Sequence, residues 1–273
     1  YPCNKQFIKS FGGKVQLVPT QKDSRFQLNK SLLEQHWRPG TRGLMLATPS
    51  NPTGTAIAAD ELAAMCKFAR SQGAWRIVDE IYLNLHHGAA DSQPMSVLSF
   101  DDEALVINSF SKYFGMTGWR LGWCVVPKRA VEVMERLAQN YYICPSVLAQ
   151  KAALQCFTPS SLAVCKSRRE SLISRKKLVL AGLKKCGLHV PVHPDGAFYV
   201  YIDVSSTGLS AMTFCERVLQ EVHVALTPGK DFGEYQGEQY VRLSFASAES
   251  ELEEGLFRLK TFMERLMNDH HKS

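Results

Sequence analysis

The sequence predicts an α/β protein: a large domain built on a mostly parallel sheet, then a smaller α+β C-terminal domain. Three observations predict it. The first half alternates short apolar runs with helix-spaced patterns, the signature of βαβ units. One long amphipathic pattern over residues 161–185 then interrupts the alternation. Beyond it come two strand patterns and two helix patterns in a shorter stretch. The domains are therefore drawn at 1–160 and 161–273, the long helix opening the second.

In chain order, residues 14–18 read as a first strand and residues 44–48 as a stronger one. A Pro/Gly-rich loop follows, Pro49 to Gly54. Residues 60–72 fit a helix, with Leu62, Met65 and Ala69 on one stripe and Gly73 as its stop. Residues 75–79, 104–108 and 122–126 read as strands, and 128–140 as a helix. In the second half, Leu172, Ile173, Val179, Leu180 and Leu183 form the buried stripe of the long helix. Residues 198–203 and 240–245 read as strands and 211–222 as a helix. Ser250 and Glu253 fit a capping box for a last helix whose stripe is Leu252, Leu256, Leu259 and Met263.

Composition narrows the classes. At 273 residues, with 45% hydrophobic and 21% charged residues, the chain can bury a sizeable core and is neither low-complexity nor mostly disordered. Its longest apolar runs, such as Gly43-Leu44-Met45-Leu46-Ala47, are too short to span a bilayer, so no membrane role is expected. The formal net charge of +6 is not massed. Its densest stretch, residues 166–185, interleaves with the helix stripe and reads as a solvated face, so no nucleic-acid partner is expected. The eight cysteines include no CxxC pair and none has a histidine at metal-ligand spacing. Most lie in apolar segments and read as buried free thiols, which suits a reducing, cytoplasmic setting.

In open parallel sheets, ligands bind outside the carboxyl ends of the strands. Those ends hold Asn51, then Asp79, Glu80 and Tyr82, then Ser109, Ser111 and Lys112, with Arg120 shortly after. Singly, each is explained by turn chemistry or surface placement. Together they make a site. A lysine beside hydroxyls and an arginine suits a Schiff base next to a phosphate. A buried carboxylate can keep a pyridine nitrogen protonated, while an amide and a phenol can bond a phenolic oxygen. The cofactor that asks for all of these is pyridoxal 5′-phosphate.

Ser109-Phe-Ser-Lys112-Tyr-Phe-Gly-Met-Thr-Gly-Trp-Arg120-Leu-Gly122 closely resembles the lysine motif of class I/II aminotransferases, fold-type I pyridoxal-phosphate enzymes. Asn51-Pro-Thr-Gly54, Asp79-Glu-Ile-Tyr82 and Tyr240-Val-Arg242-Leu-Ser-Phe245 match the other signatures in the family's order. The resemblance implies that Lys112 holds the cofactor as a Schiff base and then serves as the base at the substrate Cα. It implies Asp79 as partner of the pyridinium nitrogen, Asn51 and Tyr82 on the ring oxygen, and Ser109, Ser111 and Arg120 on the phosphate. Asn51 and Arg242 then belong to the substrate side, Arg242 taking the α-carboxylate. The substrates implied are an α-amino acid and a 2-oxo acid, and the assembly a homodimer. A pyridoxal-phosphate lyase on the same scaffold and an inactive domain of that fold are the rivals. Gly196-Ala-Phe-Tyr199 and residues 228–233 also resemble family segments, but a turn with core aromatics explains them equally, and no site residue is taken from them. The family pattern begins before Tyr1, so the large domain is expected to be incomplete at its N-terminus.

Overall fold

The computed structural model describes residues 1–89 and 94–270. Its helices are α1 (Pro2–Ser10), α2 (Lys30–His36), α3 (Ala59–Ser71), α4 (Val131–Tyr141), α5 (Val147–Leu154), α6 (Pro159–Lys185), α7 (Ala211–Val222) and α8 (Glu249–His270). Its strands are β1 (Gly43–Ala47), β2 (Trp75–Asp79), β3 (Leu105–Ser109), β4 (Gly122–Val125), β5 (Tyr199–Asp203), β6 (Thr227–Pro228) and β7 (Tyr240–Ser244). The chain divides into one unit of residues 27–49 and 56–170 and another of residues 1–26, 50–55 and 171–273.

In the first unit a sheet runs β1-β2-β3-β4. β1, β2 and β3 are parallel, and β4 returns antiparallel on β3. The register pairs Ala47 with Asp79, Asp79 with Ile107, and Ser109 with Gly122, which sets the carboxyl ends of the parallel strands along one edge. Helix α3 buries Leu62, Met65 and Ala69 on the stripe its spacing predicts, and Cys66 beside them. These pack with Leu44, Leu46, Val78 and Val106 into one core. Gly73, at φ 70°, ends the helix turn in the left-handed region that glycine tolerates. Arg76 of β2 forks onto Asp101, Nε to Oδ2 and Nη2 to Oδ1, both at 2.8 Å, and both side chains are buried. Helix α4 starts later than predicted, because Lys128–Ala130 form a 3-10 turn, and it buries none of its residues.

In the second unit the sheet order is β5-β7-β6, all antiparallel. Its core joins Val200, Ile202, Val241 and Phe245 to Phe214 and Val218 of α7, Leu259 and Phe262 of α8, and Val179 and Leu183 of α6. Residues 1–26 group here rather than with the sheet of β1–β4. Phe26 sets its ring edge-on against Tyr201 and Tyr240, at 5.5 and 5.3 Å between centroids, and Arg25 donates from Nη2 to both oxygens of Asp195.

Two local expectations are corrected. Residues 14–18 join no strand ladder, and Leu17 stays 61% exposed, so the segment has neither a partner edge nor a buried face. The last helix begins at Glu249 rather than at a Ser250 cap. The Glu251 carboxylate reaches back to the Ala248 N–H at 3.2 Å, one half of a capping box formed two residues earlier. Among the described residues, no helix is long and apolar enough to cross a membrane. All eight cysteines are free thiols, with Cys66, Cys156, Cys165, Cys186 and Cys215 buried and Cys3, Cys124 and Cys144 exposed.

Candidate active site

At the carboxyl end of β2, Asp79 accepts the Ile81 N–H on Oδ1 at 3.0 Å. Its Oδ2 accepts no hydrogen bond among the described residues. Burial pushes its carboxyl above the usual carboxylate range, and the Ile81 N–H pulls the other way. The next residue, Glu80, is buried and spends its carboxylate on the Val97 N–H at 2.7 Å and the Ser96 hydroxyl at 3.1 Å. Tyr82 follows, 5% exposed, at the head of a 3-10 turn, Leu83–Leu85.

At the carboxyl end of β3, the chain from Ser109 to Leu121 closes on itself. The Ser109 hydroxyl donates to the Leu121 carbonyl at 3.3 Å and accepts the Ser111 N–H at 3.0 Å. The Thr117 hydroxyl donates to the Ser111 carbonyl at 2.8 Å, and Gly115 N–H to the Lys112 carbonyl at 3.1 Å. Lys112, half-buried, thus sits in a loop pinned on both sides. Phe110, Met116 and Leu121 root that loop in a small core with Ala149, Ala153 and Cys156. Arg120 closes the loop in the left-handed region at φ 51°, exposed, its Nη1 on the Thr117 carbonyl at 2.9 Å and no carboxylate partner among the described residues. The β2–β3–β4 register sets Asp79 and Ser109 at the same end of the sheet; Tyr82, Ser111 and Lys112 follow in the segments leaving those strand ends, and Arg120 precedes β4 at that end.

The other two expected residues meet in the second unit. Arg242 of β7 donates from Nη1 to Asn51 Oδ1 at 2.9 Å and from Nη2 to the Thr227 hydroxyl at 3.1 Å. Its guanidinium carbon lies 4.6 Å from the Tyr199 ring centroid and 4.8 Å from that of Phe232. Its Nε–H is buried and has no partner. Asn51 is carried there by a loop docked through Gly54. At φ 68°, the Gly54 carbonyl accepts both the Asp195 and Gly196 N–H groups at 2.9 Å. A Cβ at Gly54 would lie 2.5 Å from the Pro194 Cβ and 2.9 Å from the Gly196 carbonyl oxygen, so only glycine fits. Tyr199, Thr227 and Phe232 surround Arg242, and none was taken as a site residue from the sequence. The Gly196–Tyr199 resemblance touched the first and the resemblance of residues 228–233 touched Phe232, while no signal marked Thr227.

The family model of class I and II aminotransferases matches residues 1–259. The chain belongs to that family. Its members are fold-type I enzymes that work with pyridoxal 5′-phosphate. The chain is 38% identical over 263 residues to a valine–pyruvate aminotransferase of Mycobacterium tuberculosis, covering 96% of this chain and 67% of that protein. It is 36% identical to an aromatic-amino-acid aminotransferase of Thermococcus litoralis, covering 91% of this chain and 64% of that protein. A crystal structure of an aminotransferase from Mycobacterium tuberculosis superposes with a TM-score of 0.91 at 37% identity, covering 97% of this chain and 68% of that one. The chain thus spans about two thirds of the length of the relatives it matches.

The donor set fits the family cofactor. Asp79 offers an oxygen with no other partner, its charged form disfavoured until a cation arrives. The Ser111 hydroxyl and an arginine free of carboxylates suit a phosphate, and the Ser109 hydroxyl joins them if it turns from the Leu121 carbonyl. The buried, unpaired Nε–H of Arg242 suits a carboxylate oxygen, which can take Nε and Nη2 side by side.

Proposed function

We propose that this chain catalyses amino-group transfer between an α-amino acid and a 2-oxo acid with pyridoxal 5′-phosphate. What supports the reading is that the carboxyl ends of β2 and β3 and the loops leaving them carry a half-buried lysine, a carboxylate with one unused oxygen, two serines and an arginine with no carboxylate partner among the described residues. When bound, the cofactor supplies an electron sink that makes the substrate Cα–H acidic.

The residues do the rest. Asp79 holds a proton on the ring nitrogen by charge and hydrogen bond. Tyr82 and Asn51 bond the ring oxygen. Ser109, Ser111 and Arg120 anchor the phosphate. Lys112 would hold the cofactor through its amine and would then move the proton at the substrate Cα. Arg242, with Asn51 on its Nη1, orients the α-carboxylate, and the Tyr199 and Phe232 rings pack against the planar guanidinium. In this reading residues 1–160 are the cofactor-binding domain and 161–273 the linking helix and small domain. A homodimer and a cytoplasmic location complete it, the latter supported by eight free thiols.

The test is product analysis with Lys112→Ala beside the wild type. The wild type should form a 2-oxo acid without releasing ammonia, and Lys112→Ala should lose both turnover and the visible absorbance of bound cofactor while keeping its fold by circular dichroism. Normal turnover in Lys112→Ala, or stoichiometric ammonia from the wild type, overturns the reading.

A further inference from the structure

The segment after Tyr82 is gripped by a buried cation that the proposed chemistry does not use. Arg169 of α6 is only 5% exposed. Its Nε donates to the His86 carbonyl at 2.7 Å, and its Nη2 to the Gly88 and Ala89 carbonyls at 2.7 and 3.2 Å, with His86 Nδ1 at 3.3 Å. No carboxylate offsets its charge among the described residues. Burying a guanidinium on neutral acceptors is costly, and an apolar side chain would fill the same volume more cheaply.

What Arg169 fixes lies one short turn from the site. Between Glu80 and His86 the backbone is a closed ladder, with Leu83 N–H on the Glu80 carbonyl, Leu85 N–H on the Tyr82 carbonyl and His86 N–H on the Leu83 carbonyl, at 2.9, 2.9 and 3.2 Å. Glu80 clamps the near end through Val97 and Ser96. Arg169 clamps the far end through residues 86, 88 and 89. Tyr82 stands between two buried charges on a turn with no slack. All of these groups belong to the same unit.

We propose that Arg169 is a positioning residue for Tyr82: its fork on the 86–89 carbonyls fixes the turn that holds the phenol where the cofactor's ring oxygen binds. The proposal rests on the aminotransferase reading above. A purely electrostatic role is the competing account, because Arg169 also opposes the rise that burial and Cys165 impose on the Tyr113 phenol, next to Lys112. Lysine keeps the charge and loses the fork, so Arg169→Lys separates the two.

The experiment loads wild type, Tyr82→Phe, Arg169→Lys and the double variant with pyridoxal 5′-phosphate. It measures the cofactor's dissociation constant and the pH midpoint of its visible absorbance change. Arg169→Lys should move the midpoint in the same direction as Tyr82→Phe, and the double variant should move no further than Tyr82→Phe alone. A wild-type midpoint in Arg169→Lys, or shifts that sum in the double variant, overturns the proposal. If Arg169→Lys does not fold, Arg169→Gln, which keeps one donor for the His86 carbonyl, is read against the same two outcomes. A wild type that binds no cofactor overturns the functional reading and this proposal with it. Arg169 variants that match a cofactor-binding wild type, while Tyr82→Phe shifts, overturn this proposal alone.

Discussion

Asp79 is asked to be a full anion in a place that disfavours one. Burial pushes its carboxyl upward, and the Ile81 N–H is the larger of the influences that resist. A carboxylate raised on folding leaves its cost at pH values above the raised value, where the folded chain must hold the charge. That cost disappears as pH falls below the ordinary carboxylate range, where folded and unfolded forms are both neutral. Asp79→Asn should therefore raise the melting temperature of the cofactor-free protein at neutral pH and leave it unchanged in acid. The same variant should lower turnover by several orders of magnitude, since an amide cannot hold the ring nitrogen protonated. A stabilised but inactive variant in thermal scans and rate assays is the expected pair. Arg242 shows a different economy. Its Nη atoms already have partners while its Nε waits buried. Arg242→Lys removes the side-by-side donors and should weaken carboxylate recognition by about 1.5–3 kcal/mol, read as a fall in kcat/KM with the cofactor still bound.

Individual elements carry the site by close approach rather than by sequence signature alone. Gly54→Ala would force a side chain into the left-handed region and against the Pro194 Cβ. Strain of that kind costs about 1–3 kcal/mol, which urea unfolding would show as a lower midpoint. Asp101→Ala should be worse, about 3–5 kcal/mol, because it strands the buried Arg76 guanidinium beneath β2. The elements legible in the sequence were those whose pattern is local. β2 and α7 occupy the residues their periodicity predicts, and the α3 stripe buries Leu62, Met65 and Ala69 as expected. Residues 14–18 failed because a strand exists only with a partner edge, which alternation within one segment does not reveal. α1, α2 and α5 were missed because they are short. α2 begins at an Asn29 cap and α5 at a Ser146 cap, single residues easily read as turns. The Ser250 cap failed because Ala248 has no side-chain acceptor to mark the true start. For the site the same division holds. Strand-end residues were legible from βαβ order, whereas the Thr227, Tyr199 and Phe232 cage around Arg242 depends on antiparallel register and a distant loop.

Across the whole molecule, the candidate residues fall into two groups held by separate cores. Asp79, Tyr82, Ser109, Ser111, Lys112 and Arg120 belong to the unit of residues 27–49 and 56–170, while Asn51 and Arg242 belong to the other. A ligand that binds only the folded form stabilises what it touches, by about 2.7 kcal/mol at a hundredfold excess over its dissociation constant. Stability in a chain with two cores need not be uniform, and hydrogen exchange reports it segment by segment. Pyridoxal 5′-phosphate alone should therefore slow exchange first around residues 79–85 and 109–122. The Arg242 strand and the loop of residues 227–233 should respond less, since the phosphate and ring nitrogen are assigned to the other group. Adding an α-amino acid substrate should then protect residues 240–244, because its carboxylate gives the buried Arg242 Nε–H the acceptor it lacks. Arg242→Lys should abolish that second protection and spare the first. Equal protection of both groups by the cofactor alone would refute the assignment of the phosphate and ring nitrogen to the first group and of the substrate carboxylate to Arg242.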